Sequence, residues 1–221
     1  MLRASGARSL AGIVSWLPEI TLMTNSQLYR WFFIAVFVGM VSISVFFRSR
    51  ARRSSEAIPR AREGAPVLLT RLLFAAPLYL PIIAYMLNPG WMAWAALPLP
   101  TWLRWLGAAI GLTMLPLLYW VFSSIGSNIS ETTLTKEKHR LVMHGPFHWV
   151  RHPLYSAATV VLISMSMLAA NWFMLMMACI ALVGVAVLVI PREEAELIRK
   201  FGVDYRDYMQ RTGRLAPRLF R

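Results

Sequence analysis

The chain's chemistry-bearing residues fall into two short windows. All four histidines lie in "HRLVMHGPFHWVRHPLY", residues 139–155. Adjacent carboxylates, Glu193 and Glu194, open a second polar stretch, "PREEAELIRKFGVDYRDYMQRTGRLAP", residues 191–217. Imidazoles can ligate a metal or exchange protons near neutral pH. Paired carboxylates can hold a cation or hydrogen-bond a polar ligand.

Three readings of the histidine window compete. His144, His148 and His152 follow an i, i+4, i+8 spacing that would line one helix face. Gly145-Pro146 and Pro153 interrupt any such helix, and the window holds no carboxylate cluster, so no metal site is expected. "FHWV" suits anchoring at a membrane interface, which accounts for His148 and Trp149. "RHPLY" reads differently. The residue before a proline is pushed toward extended backbone, and Pro153 suits the first position of a helix. Arg151 and His152 are therefore expected at a helix N-terminus, a natural seat for a polar ligand.

The elements that position these windows are apolar. Of the 221 residues 57% are hydrophobic and only 15% charged, far from the balance of a soluble domain. Five apolar runs, 28–47, 67–87, 102–124, 154–170 and 172–190, each approach the ~20 residues a spanning helix needs. In lipid, continuous runs of this kind are helices. The expected fold is an all-α integral membrane protein of about five transmembrane helices. Runs four and five are joined by "AANW", a tight hairpin. It returns the end of the histidine window and the start of the glutamate stretch to one membrane face. Pro77, Pro81 and Pro116 fall inside spans, where kinks are tolerated, and Pro191 is expected to close the fifth. Arg71 and Arg104 lie just inside spans and are expected to snorkel to the nearest surface.

The net charge of +13 comes from 23 Lys and Arg against 10 Asp and Glu. The cations alternate by loop: six in 48–66, none in 88–101, four in 125–153, eight in 191–221. That pattern places the basic loops and the tail in the cytoplasm and the N-terminus outside. Membrane topology and anionic lipid headgroups account for the charge, and no nucleic-acid partner is expected. Leu197, Ile198, Phe201, Tyr205, Tyr208 and Met209 repeat at helical spacing, an amphipathic surface helix in the tail. Without a ligand, Glu193 and Glu194 would be read as first-turn dipole partners paired with Arg192. Cys179 is the single cysteine and forms no internal disulfide. Residues 1–27 read as a disordered or interface-lying leader, 28–124 as three spans, and 125–221 as the region carrying the chemistry.

Taken together, "LVMHGPFHWVRHPLYSA", a hairpin and "EEAELIRKFGVDYRDYMQRTGRLAP" resemble the isoprenylcysteine carboxyl methyltransferase and phospholipid methyltransferase family, over roughly residues 128–217. The resemblance implies a membrane enzyme using S-adenosyl-L-methionine, with a cytoplasmic cofactor pocket. It implies cofactor contacts from His139, Arg140, Leu141, Val142, Phe147, His152, Pro153, Tyr155, Glu193 and Glu194. It implies roles in catalysis for Arg151, Arg192 and Glu193, and a lipophilic or prenylated acceptor entering from the bilayer. The membrane it implies is the inner membrane of a bacterium. His144 and His148 remain turn and interface residues.

Two positions depart from the family pattern. Phe147 stands where the family usually has Tyr, and is placed to stack on adenine. Val189 stands where the prenylcysteine enzymes carry an arginine linked to the substrate carboxylate. Either Arg192 takes that place or the acceptor is not a carboxylate. A lipid-binding or accessory protein that keeps the scaffold, and a sterol-type reductase binding a nicotinamide cofactor, are the competing classes. The acceptor's identity and the oligomeric state stay open.

Overall fold

The computed structural model describes the backbone of residues 6–54, 64–126 and 141–218, and the side chains of 25–51, 53, 75–126 and 141–218. The described chain is helical: α1 (Gly6–Ser54), α2 (Gly64–Leu87), α3 (Thr101–Ile125), α4 (Pro153–Ala169), α5 (Trp172–Gly184), α6 (Ile190–Phe201) and α7 (Val203–Arg211). Short 3-10 turns occupy Pro89–Ala95 and Gly145–His148. Among the described residues there is no strand, only the isolated bridges Ala96–Asn171 and Val150–Gly213.

Among the described residues three helical stretches are long and apolar enough to cross a bilayer: Asn25–Ala51, Thr101–Ile125 and Trp172–Phe201. Pro153–Ala169 is apolar but shorter, as is Ala75–Leu87, the part of α2 whose side chains are described. At 1.5 Å per residue, α4 reaches about 26 Å, short of a ~30 Å hydrocarbon core. Of the expected spans α4 is thus the short one, while α2 runs as helix for 24 residues. Residues 6–27 run as helix into the first span.

The core is a sandwich of side chains from five helices. Tyr29, Phe33 and Val36 of α1, Ile82 and Tyr85 of α2, Leu118 of α3, Val161, Met165 and Leu168 of α4, and Met174 of α5 form one buried cluster. Helices α3 and α4 approach closely because α3 offers glycines there. A Cβ on Gly107 would lie 2.8 Å from the Ser164 carbonyl oxygen, and one on Gly111 would lie 3.0 Å from Ser164 Oγ. Small residues at such crossings let dispersion contacts replace a hydrophobic driving force that lipid removes.

Two arginines close helix ends at the far side from the histidine window. Arg30 donates to the carbonyls of Met86 and Leu87 at the end of α2. Arg104 donates to Leu168 O near the end of α4 and sits 3.8 Å over the Tyr29 ring. The expected snorkelling of Arg104 is thus replaced by capping of carbonyls that have no intrahelical partner. Arg71 lies outside the residues whose side chains are described.

The hairpin between α4 and α5 turns on Ala170, a left-handed residue at φ 51°. Asn171 then caps α5, accepting from the Met174 amide at 2.9 Å, and donates to Met92 O at 3.2 Å. At the other end of α5 the expected stop at Pro191 does not occur. A π-helical turn over Val185–Val189, closed by the Ile190 amide on Val185 O, carries the helix past a residue that has no N–H to give. The wide turn also inserts one residue into the helical count. Everything after it is rotated by about 100° relative to an unbroken helix, which decides the faces Glu193 and Glu194 present. The tail helix expected across residues 197–209 divides at Gly202, where φ is 56°, into α6 and α7.

Candidate active site

The site forms where the N-terminus of α4, the start of α6 and the segment after α7 meet. Gly145, at φ 61°, opens the Gly145–His148 turn. The next residues run alongside residues 213–215, although Trp149 keeps a helical backbone (φ -102°, ψ -32°) and His152, at φ -122° and ψ 59°, is not extended as expected. Gly213 N–H donates to Trp149 O at 3.3 Å, Arg151 N–H to Gly213 O at 2.8 Å, and His152 N–H to Arg214 O at 3.1 Å. Ser156 Oγ then donates to Leu215 O at 2.6 Å. Residues 212–215 therefore strap the R-H-P segment in place. Pro153 begins α4 with no amide hydrogen to satisfy, as expected.

The two glutamates meet this segment in different ways. Glu194 is buried and accepts from Arg151 Nε at 3.0 Å. His152 Nε2 lies 3.3 Å from the same oxygen, and an Arg214 guanidinium nitrogen 3.3 Å from the other. Arg151 also donates to the carbonyls of Met209 and Thr212, which ties the pair to the end of α7. A buried carboxylate is tolerable when its charge is matched and its lone pairs are filled, and here both conditions hold. Glu193 accepts the Tyr155 hydroxyl at 2.6 Å and lies 3.6 Å from His152 Nδ1. Its side chain keeps 28% of its surface exposed, against 9% for Glu194. One carboxylate is locked and the other has a free edge. His152 stands between them with a nitrogen toward each. A neutral ring donates to one of these carboxylates and an imidazolium to both.

Two tyrosines of α7 close the site from below. Tyr208 donates its hydroxyl to Phe147 O at 2.6 Å. Burial pushes its ionisation up to about 12. Tyr205 is 1% exposed, and its hydroxyl has no hydrogen-bond partner among the described residues. Its ionisation is also raised, first by burial and then by the charge of Glu194.

Most of the expected site residues lie together. Arg151, His152, Tyr155, Glu193 and Glu194 form one bonded cluster, and buried Pro153 seats it on α4. Phe147 is half-buried, with its carbonyl held by Tyr208, and Leu141 and Val142 are half-buried before the turn. His139 and Arg140 lie outside the described residues. Arg192 is exposed and pairs with neither glutamate among the described residues; Glu194 takes Arg151 and Arg214 in place of the expected Arg192 partner. His144 and His148 are exposed, and His148 lies edge-on to Trp149 at 5.7 Å. Arg214 and the strap were missed from sequence. Their only signal was "TGRLAP" after the tyrosine pair, which carries no charge pattern of its own.

Residues 106–199, which include the turn, the R-H-P segment, the hairpin and both glutamates, match the model of the isoprenylcysteine carboxyl methyltransferase family. This segment is similar to that family. The isoprenylcysteine carboxyl methyltransferase fold extends further along the chain than the sequence match. The structure is similar to that of a eukaryotic intramembrane Ras methyltransferase, itself an isoprenylcysteine carboxyl methyltransferase. The match has a TM-score of 0.51 at 22% identity and covers 84% of this chain and 67% of the other. No curated protein matches the chain in sequence. The architecture is that of an all-α integral membrane protein.

Proposed function

We propose that the protein is a membrane-embedded methyltransferase that uses S-adenosyl-L-methionine and acts on a lipophilic acceptor arriving from the bilayer. The observation that carries this reading is the division of labour between the adjacent glutamates. Glu194 is consumed by Arg151, His152 and Arg214, whereas Glu193 is held by Tyr155 and His152 with an edge left open. An oriented carboxylate with a free edge fits a donor that carries an ammonium, ribose hydroxyls and a positive sulfur. When bound, the cofactor supplies a methyl group on that sulfur, ready for in-line displacement.

The chain's own residues have positioning and electrostatic tasks. Glu193, Tyr155, His152 and Pro153 would hold the donor on one side, and Phe147 would lie against the adenine. Leu141 and Val142, with His139 and Arg140 before them, would complete the wall. Arg151 and Arg214 keep Glu194 neutralised, so Glu193 is the carboxylate that faces the donor. Holding the reactants in line and shaping the local field are the main contributions an enzyme can make to such a transfer. Exposed Arg192 is the guanidinium an anionic acceptor would use, in the absence of one at Val189. A thiol or amine acceptor would have no need of it. The basic loops set the N-terminus outside and the site in the cytoplasm, where the soluble donor enters.

The test is calorimetry of S-adenosylhomocysteine with the purified protein in detergent, with Glu193→Gln beside it. Micromolar binding that weakens by about 10- to 100-fold in the variant is expected, the effect of a charged hydrogen-bond partner. Equal affinity in the variant would remove Glu193 from the site. No binding by folded wild-type protein would leave a lipid-binding or accessory scaffold.

A further inference from the structure

The sequence "FGVDYRDY", residues 201–208, places two tyrosines three residues apart on one helix, outside the matched segment 106–199. Both are buried, at 1% for Tyr205 and 7% for Tyr208. Their hydroxyls differ completely. Tyr205 Oη has no partner among the described residues, and Tyr208 donates to Phe147 O at 2.6 Å.

The acceptor of that bond needs help. Phe147 lies in a four-residue 3-10 turn, Gly145–His148, entered through a glycine at positive φ. Such turns have poor hydrogen-bond geometry and little stability alone. This one is closed internally by the amides of Trp149 and Val150, both 3.2 Å from Pro146 O. The Phe147 carbonyl is fixed from outside, by α7. At the other end of the same segment Arg151 is also fixed from α7, through the carbonyls of Met209 and Thr212. Helix α7 therefore grips both ends of residues 147–151. From these ends emerge the ring of Phe147 on one side and His152 on the other.

We infer that Tyr208 is a positioning residue of the methyl-donor site: its hydroxyl sets the Gly145–His148 turn, and through it the spacing of Phe147 and His152. This rests on the donor-site reading given above. Tyr208 itself touches no donor atom. It raises donor affinity by ordering the turn before binding, which lowers the ordering cost at the moment of binding. Tyr205 makes no such bond and serves only as packing.

Each tyrosine is replaced by phenylalanine in the full-length protein in detergent. S-adenosylhomocysteine affinity, thermal midpoint and amide hydrogen exchange of residues 147–152 are measured for each. For Tyr208→Phe, affinity is expected to weaken by about tenfold, the effect of one well-formed hydrogen bond. Exchange at Trp149 and Val150 should quicken, with the thermal midpoint close to wild type. Tyr205→Phe should keep affinity within about twofold, since no bond is removed. Wild-type binding with Tyr208→Phe unchanged overturns the proposal alone. Equal weakening in both variants also overturns it, because packing of α7 would then be the cause. Absence of binding by the wild-type protein overturns the donor-site reading and this proposal with it.

Discussion

Arg151 Nε lies 3.0 Å from Glu194 Oε1, joining the start of α4 to the start of α6 across 43 residues of sequence, with both side chains only 9% exposed. The pair is the point where the two polar windows become one site. It also fixes the hairpin's open end, because the same guanidinium reaches the carbonyls of Met209 and Thr212.

Removing one partner of a buried pair leaves the other uncompensated, so Arg151→Ala is expected to cost about 3 kcal/mol or more. Arg214 and His152 remain beside Glu194 and limit the loss. Unfolding in detergent, followed by circular dichroism, would read this as a lowered midpoint. A midpoint equal to wild type would mean that the ion pair does not hold the hairpin closed.

Gly213 is the residue at which the strap meets the R-H-P segment. A Cβ there would lie 1.8 Å from Ala216 O, a distance no side chain tolerates without backbone movement. Gly213→Ala should therefore shift the strap, free the amides of Arg151 and His152, and weaken S-adenosylhomocysteine binding by about tenfold or more. Calorimetry reads the affinity, and hydrogen exchange at residues 151–152 reads the strap. Unchanged exchange would show that the strap is not what holds the segment.

Helix packing offers a contrast between two glycines. At Gly107 an added methyl would press on the Ser164 carbonyl of α4 at 2.8 Å, so Gly107→Ala should destabilise by about 1–3 kcal/mol. At Gly184 nothing among the described residues lies within 4 Å, so Gly184→Ala should stabilise by up to about 1 kcal/mol through helix propensity. Thermal midpoints of the two variants should move in opposite directions. Movement in the same direction would mean that α3 and α4 do not meet at Gly107.

Part of the alkaline limb of stability should come from α7. Tyr208 ionises at about 12 when folded, against 10.0 for a free tyrosine, and Tyr205 is raised as well. Between pH 10 and about 12 the folded state keeps protons that the unfolded chain has lost. Stability is therefore complete below pH 10 and falls as pH rises, by about 1.4 kcal/mol per pH unit for each such tyrosine. Tyr208→Phe should make that slope shallower, as measured by denaturant unfolding across this range. An unchanged slope would place the tyrosine ionisation elsewhere.

Much of this molecule was legible from local physics. Continuous apolar runs become helices in lipid because their backbone has no other partner there. Asn171 caps α5 through a contact three residues away, and Pro153 opens α4 because its missing amide is no loss at that position. The hairpin follows from the brevity of "AANW", and with it the meeting of the histidine window and the glutamates. Tertiary structure decided what depended on rotation and on distant partners. The π turn before Pro191 resets the helical phase, so it determines that Glu194 turns inward and Glu193 keeps a free edge; two identical adjacent side chains carry no sign of this in sequence. Gly202 redirects the tail, so Tyr208 reaches Phe147 and Gly213 reaches Trp149. Those bonds join residues about sixty apart, and no periodicity along one helix encodes them.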